Sequence, residues 1–269
     1  MTKFFYFTNN NFMKVRAFAT DMAVEFIKTK HNRDDGVVRY YDVSVDKKLS
    51  KKIGKPCGRY STLETSAVVS GRRDEYARVS NALSECVSEY CDGCYRAMCI
   101  GLGNPDLTAD ALGDRVFKRL NVTRQYDTDR FLCGLAPNVL GVTGIESYDI
   151  IAAVAGRVRP DVIIVVDSLT AAATGRIATA FQVTDSGITP GSGVENHRRR
   201  LDSESLGCRV VSVGVPLVVY SSTIARDFCG GECDSGLDMI VTPKDVDILV
   251  EDCAKIIADA INTAFNVSA

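Results

Sequence analysis

Asp161-Val-Ile-Ile-Val-Val-Asp167 is the stretch that decides the fold: five aliphatic residues running straight into an acid. A short aliphatic run without polar alternation reads as a strand buried on both faces, the kind found in parallel sheets. A similar segment lies upstream. Met98-Cys-Ile-Gly-Leu-Gly-Asn104 enters a loop and reaches Asp110-Ala-Leu-Gly113. Each segment sets a carboxylate at or just beyond a strand's carboxyl end, where open α/β sheets build their sites.

Strands and helices alternate outward from there. Strands are expected at 97–102, 131–135, 161–166, 179–184 and 210–215. Helices are expected at 108–120, capped by Thr108, and at 146–157, 221–227 and 244–265. Upstream, Arg72–Glu89 carries Tyr76, Val79, Leu83, Cys86 and Val87 at helical spacing. Val24–Lys28 begins a first helix, and Gly36–Asp46 and Tyr60–Val69 read as strands. This order predicts an α/β protein: a mainly parallel sheet with helices on both faces, folded as one domain.

The chain has 269 residues, 46% of them hydrophobic, enough for one large core. Lys and Arg (32) nearly balance Asp and Glu (34), so the charge total carries no nucleic-acid footprint. Lys47–Lys55 and His197–Arg200 read as solvated basic runs. There is no apolar run of about 18 residues and no signal-peptide core, so a cytoplasmic protein that does not span a membrane is expected. Ten cysteines read as free thiols in a reducing compartment. Cys91 and Cys94 form a C-x-x-C, near Cys86 and Cys99, which leaves open a metal or redox site.

Asp110 and Asp167 are the sharpest candidates. Facing each other, two carboxylates resist double ionisation, so one holds a proton while the other activates water. The same acids could bind a divalent metal, or simply cap helices. Gly101-Leu-Gly103 lacks the third glycine of a dinucleotide loop and reads as a turn with close backbone approach; no cofactor is expected. Thr184-Asp-Ser-Gly187 matches the D-[ST]-G of pepsin-like proteases by chance, and Ile188–Gly193 is a turn-rich loop suited to a cleft wall. His31 and His197 are the only histidines, and neither lies beside a nucleophile at a strand end.

Taken together, Ile53-Gly-Lys-Pro-Cys-Gly58, Gly101-Leu-Gly-Asn104, Asp110-Ala-Leu-Gly113, Thr143-Gly-Ile-Glu146, Ile164-Val-Val-Asp167, Ser186-Gly-Ile-Thr-Pro-Gly-Ser-Gly-Val194, Val213-Gly-Val-Pro216 and Val241-Thr-Pro-Lys-Asp-Val246 resemble, in this order, the bacterial spore germination protease family. The resemblance implies an endopeptidase that degrades small acid-soluble spore proteins in the spore core. It implies a self-processing zymogen, a tetramer, and a fold like that of hydrogenase maturation endopeptidases. Asp110 and Asp167 fall on the family's proposed catalytic aspartates. Asn104, Glu146, Arg176, Asp185, Ser186, Gly187, Gly191, Ser192 and Gly193 become cleft-lining candidates, with no metal ligand assigned. Family substrates are cut after an acid, in sequences resembling T-E followed by F/I-A-S-E. Ala19-Thr-Asp21 followed by Met22-Ala-Val-Glu25 is similar, so a cut between Asp21 and Met22 is expected, removing residues 1–21 as a propeptide. Three features depart from the family pattern. Asp114 stands where proline is usual, Ala172 where arginine is usual, and the chain is shorter between Phe228 and Leu237. The departures leave open a relative that binds spore proteins without cutting them.

Overall fold

A computed structural model of the chain describes residues 20–27, 31–126, 129–191, 199–229 and 239–265. Its strands are β1 (Arg33–Asp34), β2 (Arg39–Val45), β3 (Gly58–Glu64), β4 (Arg96–Gly101), β5 (Phe131–Leu135), β6 (Val162–Ala171), β7 (Ala180–Thr184), β8 (Arg209–Tyr220) and β9 (Ile240–Val241). All join one sheet in the order β1-β2-β3-β7-β8-β6-β4-β5, with β9 on the end of β8. The expected α/β architecture is present. β5, β4, β6 and β8 are mutually parallel and form its core. Beyond β8 the sheet continues antiparallel through β7, β3, β2 and β1, so the whole is mixed.

The main helices are α1 (Lys47–Ile53), α2 (Tyr76–Tyr90), α3 (Leu112–Phe117), α4 (Ser147–Val158), α5 (Ser221–Cys229) and α6 (Val246–Ala264). All five apolar residues chosen on α2 are buried, as their spacing requires. α2, α3 and α6 pack on one face of the sheet, against Val162, Ile164 and Val166 of β6. α4 covers the other face, against Ile163 and Val165. The unbroken aliphatic run is thus explained: every residue from Val162 to Val166 meets a core on one side or the other.

Three boundaries differ from the sequence reading. First, β6 does not stop at Val166. It runs to Ala171 alongside a β8 that reaches Tyr220, and Asp167 pairs with Gly214 inside the ladder. Ser168 and Thr170 looked like the end of a strand, but both stay in register with β8, and the N–H and C=O of Thr170 bond to Asp21 on the other side. The register shifts between Leu169 and Thr170, opposite Pro216. Proline has no N–H to donate, so an irregularity there lets β8 pass through it.

Second, the region 108–120 is not one helix. A 3-10 turn, Thr108–Asp110, precedes α3, and Thr108 does not cap α3. Here the glycines decide. A Cβ on Gly103, whose φ is +102°, would lie 1.8 Å from the Asp110 carbonyl oxygen. One on Gly101 would lie 2.2 Å from that of Gly113. The β4 strand end and the 110–113 backbone therefore press together as only glycine allows, and the chain bends at Asp110. Asp114, at the family's proline position, falls in the first turn of α3, where a negative charge is favoured, and pairs with Lys118 at 2.7 Å.

Third, the first helix is only a 3-10 turn, Ala23–Phe26, held against the sheet rather than standing alone. Two strand ranges are also shorter than expected, as the spans of β2 and β3 above record. The segment 230–238, which contains most of the shortened region, lies outside the described residues.

Candidate active site

β4 and β6 each deliver one acid to a cleft of about 480 Å³. Asp110 arrives on the 3-10 turn after β4, and its Oδ2 accepts from the Asn104 N–H at 2.8 Å. Asp167 comes from β6 itself, is 7% exposed, and its Oδ1 accepts from the Ser168 N–H at 2.9 Å. Asp167 is therefore not a helix cap. Leu102, Leu107, Val139 and Ile188 give the cleft apolar walls.

A third acid lines the same cleft. Asp21 belongs to the segment Thr20–Phe26, which lies along the far end of β6 like an added short strand. The Asp21 N–H donates to Thr170 O at 2.9 Å, and the Thr170 N–H donates back to Asp21 Oδ2 at 2.9 Å. The Thr20 hydroxyl donates to Thr170 O at 3.1 Å. Met22 and Ala23 are fully buried, Met22 packing with Leu169 and Ala180. The Gln182 side chain spans the next peptide bond: Nε2 donates to Asp21 O at 3.1 Å, and Oε1 accepts from the Ala23 N–H at 2.8 Å.

Glu25 anchors the far end of the segment. Its Oε2 accepts from the Ala172 N–H at 2.8 Å, its Oε1 lies 3.2 Å from the Arg176 Nε, and the Thr20 hydroxyl also donates to it. Arg176 pairs with Glu64 as well. Ala172 takes the family's arginine position, yet a guanidinium still arrives there, because Arg226 of α5 donates to the Ala172 carbonyl.

Asp21 also borders a second, smaller cavity of about 180 Å³ that holds Lys55, Tyr60, Gln182, Ser186 and Arg200. The Lys55 Nζ lies 3.8 Å from Asp21 Oδ1, and both side chains are largely buried. Burial pushes the Lys55 pKa down, opposed by the neighbouring Asp21 and Glu25.

The structure sorts the remaining candidates. Asn104 and Gly191 line the main cleft. Ser186 and Gly187 line the smaller one. Glu146 precedes α4 and lines neither cavity; Ser147, its neighbour, does line the cleft. Asp185 is exposed and accepts from the Arg59 N–H at 2.7 Å, a structural contact between β3 and β7. Arg176 stands at the Glu25 end of the docked segment, away from both cavities. Ser192, Gly193 and His197 lie outside the described residues. His31 is exposed, edge-on to Tyr41 at 6.3 Å.

Cys99 is fully buried, as its place in an apolar strand requires, and burial pushes its thiol up to about 12. Cys86 and Cys91 are pushed equally high for the same reason. Among the described residues no three His, Cys, Asp or Glu side chains converge as metal ligands.

Reading of the sequence missed Lys55, Gln182 and Glu25 as working residues. A signal for Gln182 existed: one amide inside Ala180-Phe-Gln-Val-Thr184, a strand otherwise fit for burial. Its 5% exposure demands partners, and the docked segment supplies them.

Glu25 makes docking sensitive to pH. Burial raises its pKa above the ordinary 4.5, outweighing the Thr20 hydroxyl, the Ala172 N–H, Arg176 and Arg226, which all pull it down. A carboxyl raised in the docked state favours docking fully below 4.5, and that contribution is lost as pH rises through the raised value. Hydrogen exchange at the Ala23 amide, corrected for intrinsic rate, should show tighter docking as pH falls from about 7 toward about 5. The trend should flatten in Glu25→Gln; an unchanged slope there would remove Glu25 as the cause.

Comparison of the sequence with known proteins points to one family. The germination protease family model matches residues 10–230. A germination protease of Clostridium perfringens is 33% identical, covering 91% of this chain and 94% of its own length. One from Caldanaerobacter subterraneus is 30% identical over 94% of this chain and 92% of its own. One from Bacillus velezensis is 39% identical over 72% of this chain and 57% of its own. Among solved structures, the nickel–iron hydrogenase maturation protease HycI from Thermococcus kodakarensis aligns at 20% identity and a TM-score of 0.42, covering 66% of this chain and 99% of that one. The family model spans most of the chain, and two relatives at 30% identity or more match it nearly end to end. The chain belongs to the germination protease family, peptidases of spore germination.

Proposed function

We propose that Asp110 and Asp167 are the acid–base pair of an endopeptidase that first cuts itself between Asp21 and Met22 and then degrades small acid-soluble spore proteins. On this reading residues 1–21 are a propeptide, residues 22–269 are the protease domain, and the enzyme works in the spore core as a homotetramer. One carboxylate takes a proton from water as the water attacks the scissile carbonyl; the other, protonated, donates to the leaving amine. The observation that carries the proposal is that Asp21 lines the same cleft as both acids. Further support comes from the seating of the segment. Thr20, Asp21, Met22, Ala23 and Glu25, in a stretch similar to the family's substrate pattern, each make a buried or hydrogen-bonded contact with the groove.

The test is incubation of the processed chain with a small acid-soluble spore protein, with and without chelator, followed on one gel. Fragments of equal intensity in both lanes are expected. Loss of cutting with chelator, restored by a divalent ion, would replace the proposal with a metal-dependent hydrolase on the same acids. A substrate bound but left whole in both lanes would make the chain a binding relative.

A further inference from the structure

The peptide bond between Asp21 and Met22 is spanned by a single side chain, that of Gln182. Its Nε2 donates to the carbonyl oxygen of that bond at 3.1 Å, and its Oε1 accepts from the N–H of Ala23, one residue beyond, at 2.8 Å. The two contacts grip the backbone on both sides of the bond and fix the direction of its carbonyl.

Gln182 also lies in register with the acid. Asp167 pairs with Gly214, and Gln182 pairs with the same glycine from the other side. The three residues form one row across β6, β8 and β7, with glycine in the middle. Neighbouring strands are about 4.8 Å apart, so the acid and the amide rise roughly 10 Å apart. Both rise from one face. Phe181 and Val183 pack into the core on the α2 and α6 side, so Gln182 points away from it; Ile163 and Val165, which share a face with Asp167, belong to the α4 side. A Cβ on Gly214 would sit 2.6 Å from the Leu169 side chain, so Leu169 closes the floor between them, and Met22 packs on it.

We propose that Gln182 is a catalytic residue, the donor that binds the scissile carbonyl oxygen as charge develops on it. This rests on the reading of Asp21–Met22 as the bond that is cut. In the reaction a water oxygen bonds to the Asp21 carbonyl carbon, the carbonyl π pair moves onto its oxygen, and the Gln182 Nε2–H holds that oxyanion. The C–N bond then breaks. One water is consumed, giving a new carboxylate at Asp21 and a new amino group at Met22. The amide carries no charge, stays a donor across the working pH range, and is held before the reaction starts, which is how a preorganised donor acts. Its Oε1 contact with Ala23 keeps the Nε2 side turned toward the carbonyl.

The test uses the full chain and measures two things in each variant: the first-order rate of self-cleavage at Asp21–Met22, and hydrogen-exchange protection of the Ala23 and Asp21 amides in the uncut chain. Gln182→Glu keeps an acceptor for Ala23 and removes the donor; Gln182→Met removes both without a large change in volume. The expected result is a fall in rate of about 100-fold or more, the usual loss for one oxyanion donor, with the Asp21 amide still protected in Gln182→Glu. Cleavage at the wild-type rate in either variant overturns the proposal. A fall in rate that only tracks lost protection also overturns it, because Gln182 would then be an anchor alone. Wild type and Asp110→Asn are run beside these variants. If wild type is not cut at this bond, or Asp110→Asn is cut as fast as wild type, the failure lies in the reading of the site rather than in Gln182.

Discussion

Asp110→Asn and Asp167→Asn each give a folded chain that no longer cuts itself between Asp21 and Met22. Asparagine keeps the size of the side chain and one carbonyl oxygen. The Asn104 N–H can still find an acceptor at position 110, and the Ser168 N–H at position 167. The bend held by Gly101, Gly103 and Gly113 does not depend on the charge. Only proton transfer is lost, and losing a positioned acid or base costs about 10²- to 10⁴-fold in rate. Mass spectrometry of the incubated chain reads the cut, and thermal unfolding reads the fold. The expected pair of results is no detectable N-terminus at Met22 and a melting temperature close to that of the wild type. Normal processing in either variant would end the pairing of these acids.

Lys55→Met should be the next most damaging change. Lys55 faces Asp21 at 3.8 Å and is mostly enclosed. Methionine keeps the length and apolar stem but leaves the Asp21 carboxylate in a half-dry pocket without that charge. Removing one member of a buried ion pair typically costs about 3–5 kcal/mol; the remaining exposure of both side chains argues for the lower end. The same variant should therefore cut itself on the order of 100-fold more slowly, because the segment is seated less often. Adding Asp21→Asn to Lys55→Met should restore part of the loss, since the orphaned charge is gone. If the two changes simply add, Lys55 acts on the cleft by another route. Burial pushes the Lys55 pKa down and Asp21 pushes it up, so the carboxylate helps Lys55 keep its charge in the enclosed pocket.

Much of this was legible in the chain. The aliphatic run before Asp167 announced a central buried strand, and the alternation of elements announced the α/β layers. Asp110 and Asp167 could be singled out because each followed a strand-like run, and the structure does bring them to one cleft. The antiparallel half of the sheet was harder. Its strands are joined to the parallel core only through pairing between β7 and β8, a contact that no local pattern records. The run of β6 past Asp167 was hidden because polar Ser168 and Thr170 imitate a strand end, while the partner that covers Thr170 is the distant segment at Thr20. Lys55 and Gln182 were invisible as working residues for the same reason: each gains meaning only from a neighbour far away in sequence.

The Asp21–Gln182 contact joins residues 161 positions apart, and the Asp21–Thr170 contact joins residues 149 apart. A ribosome releases the N-terminal end first, and domains form as their parts emerge. The Thr20–Phe26 segment thus leaves the tunnel before β6 and β7 and has no seat until both have followed it. During synthesis it must wait as an unpaired strand, and it can meet the acids only in a chain whose sheet is already closed around β8. On the proposed reading of that bond, chain order alone therefore delays any cut until β8 has formed.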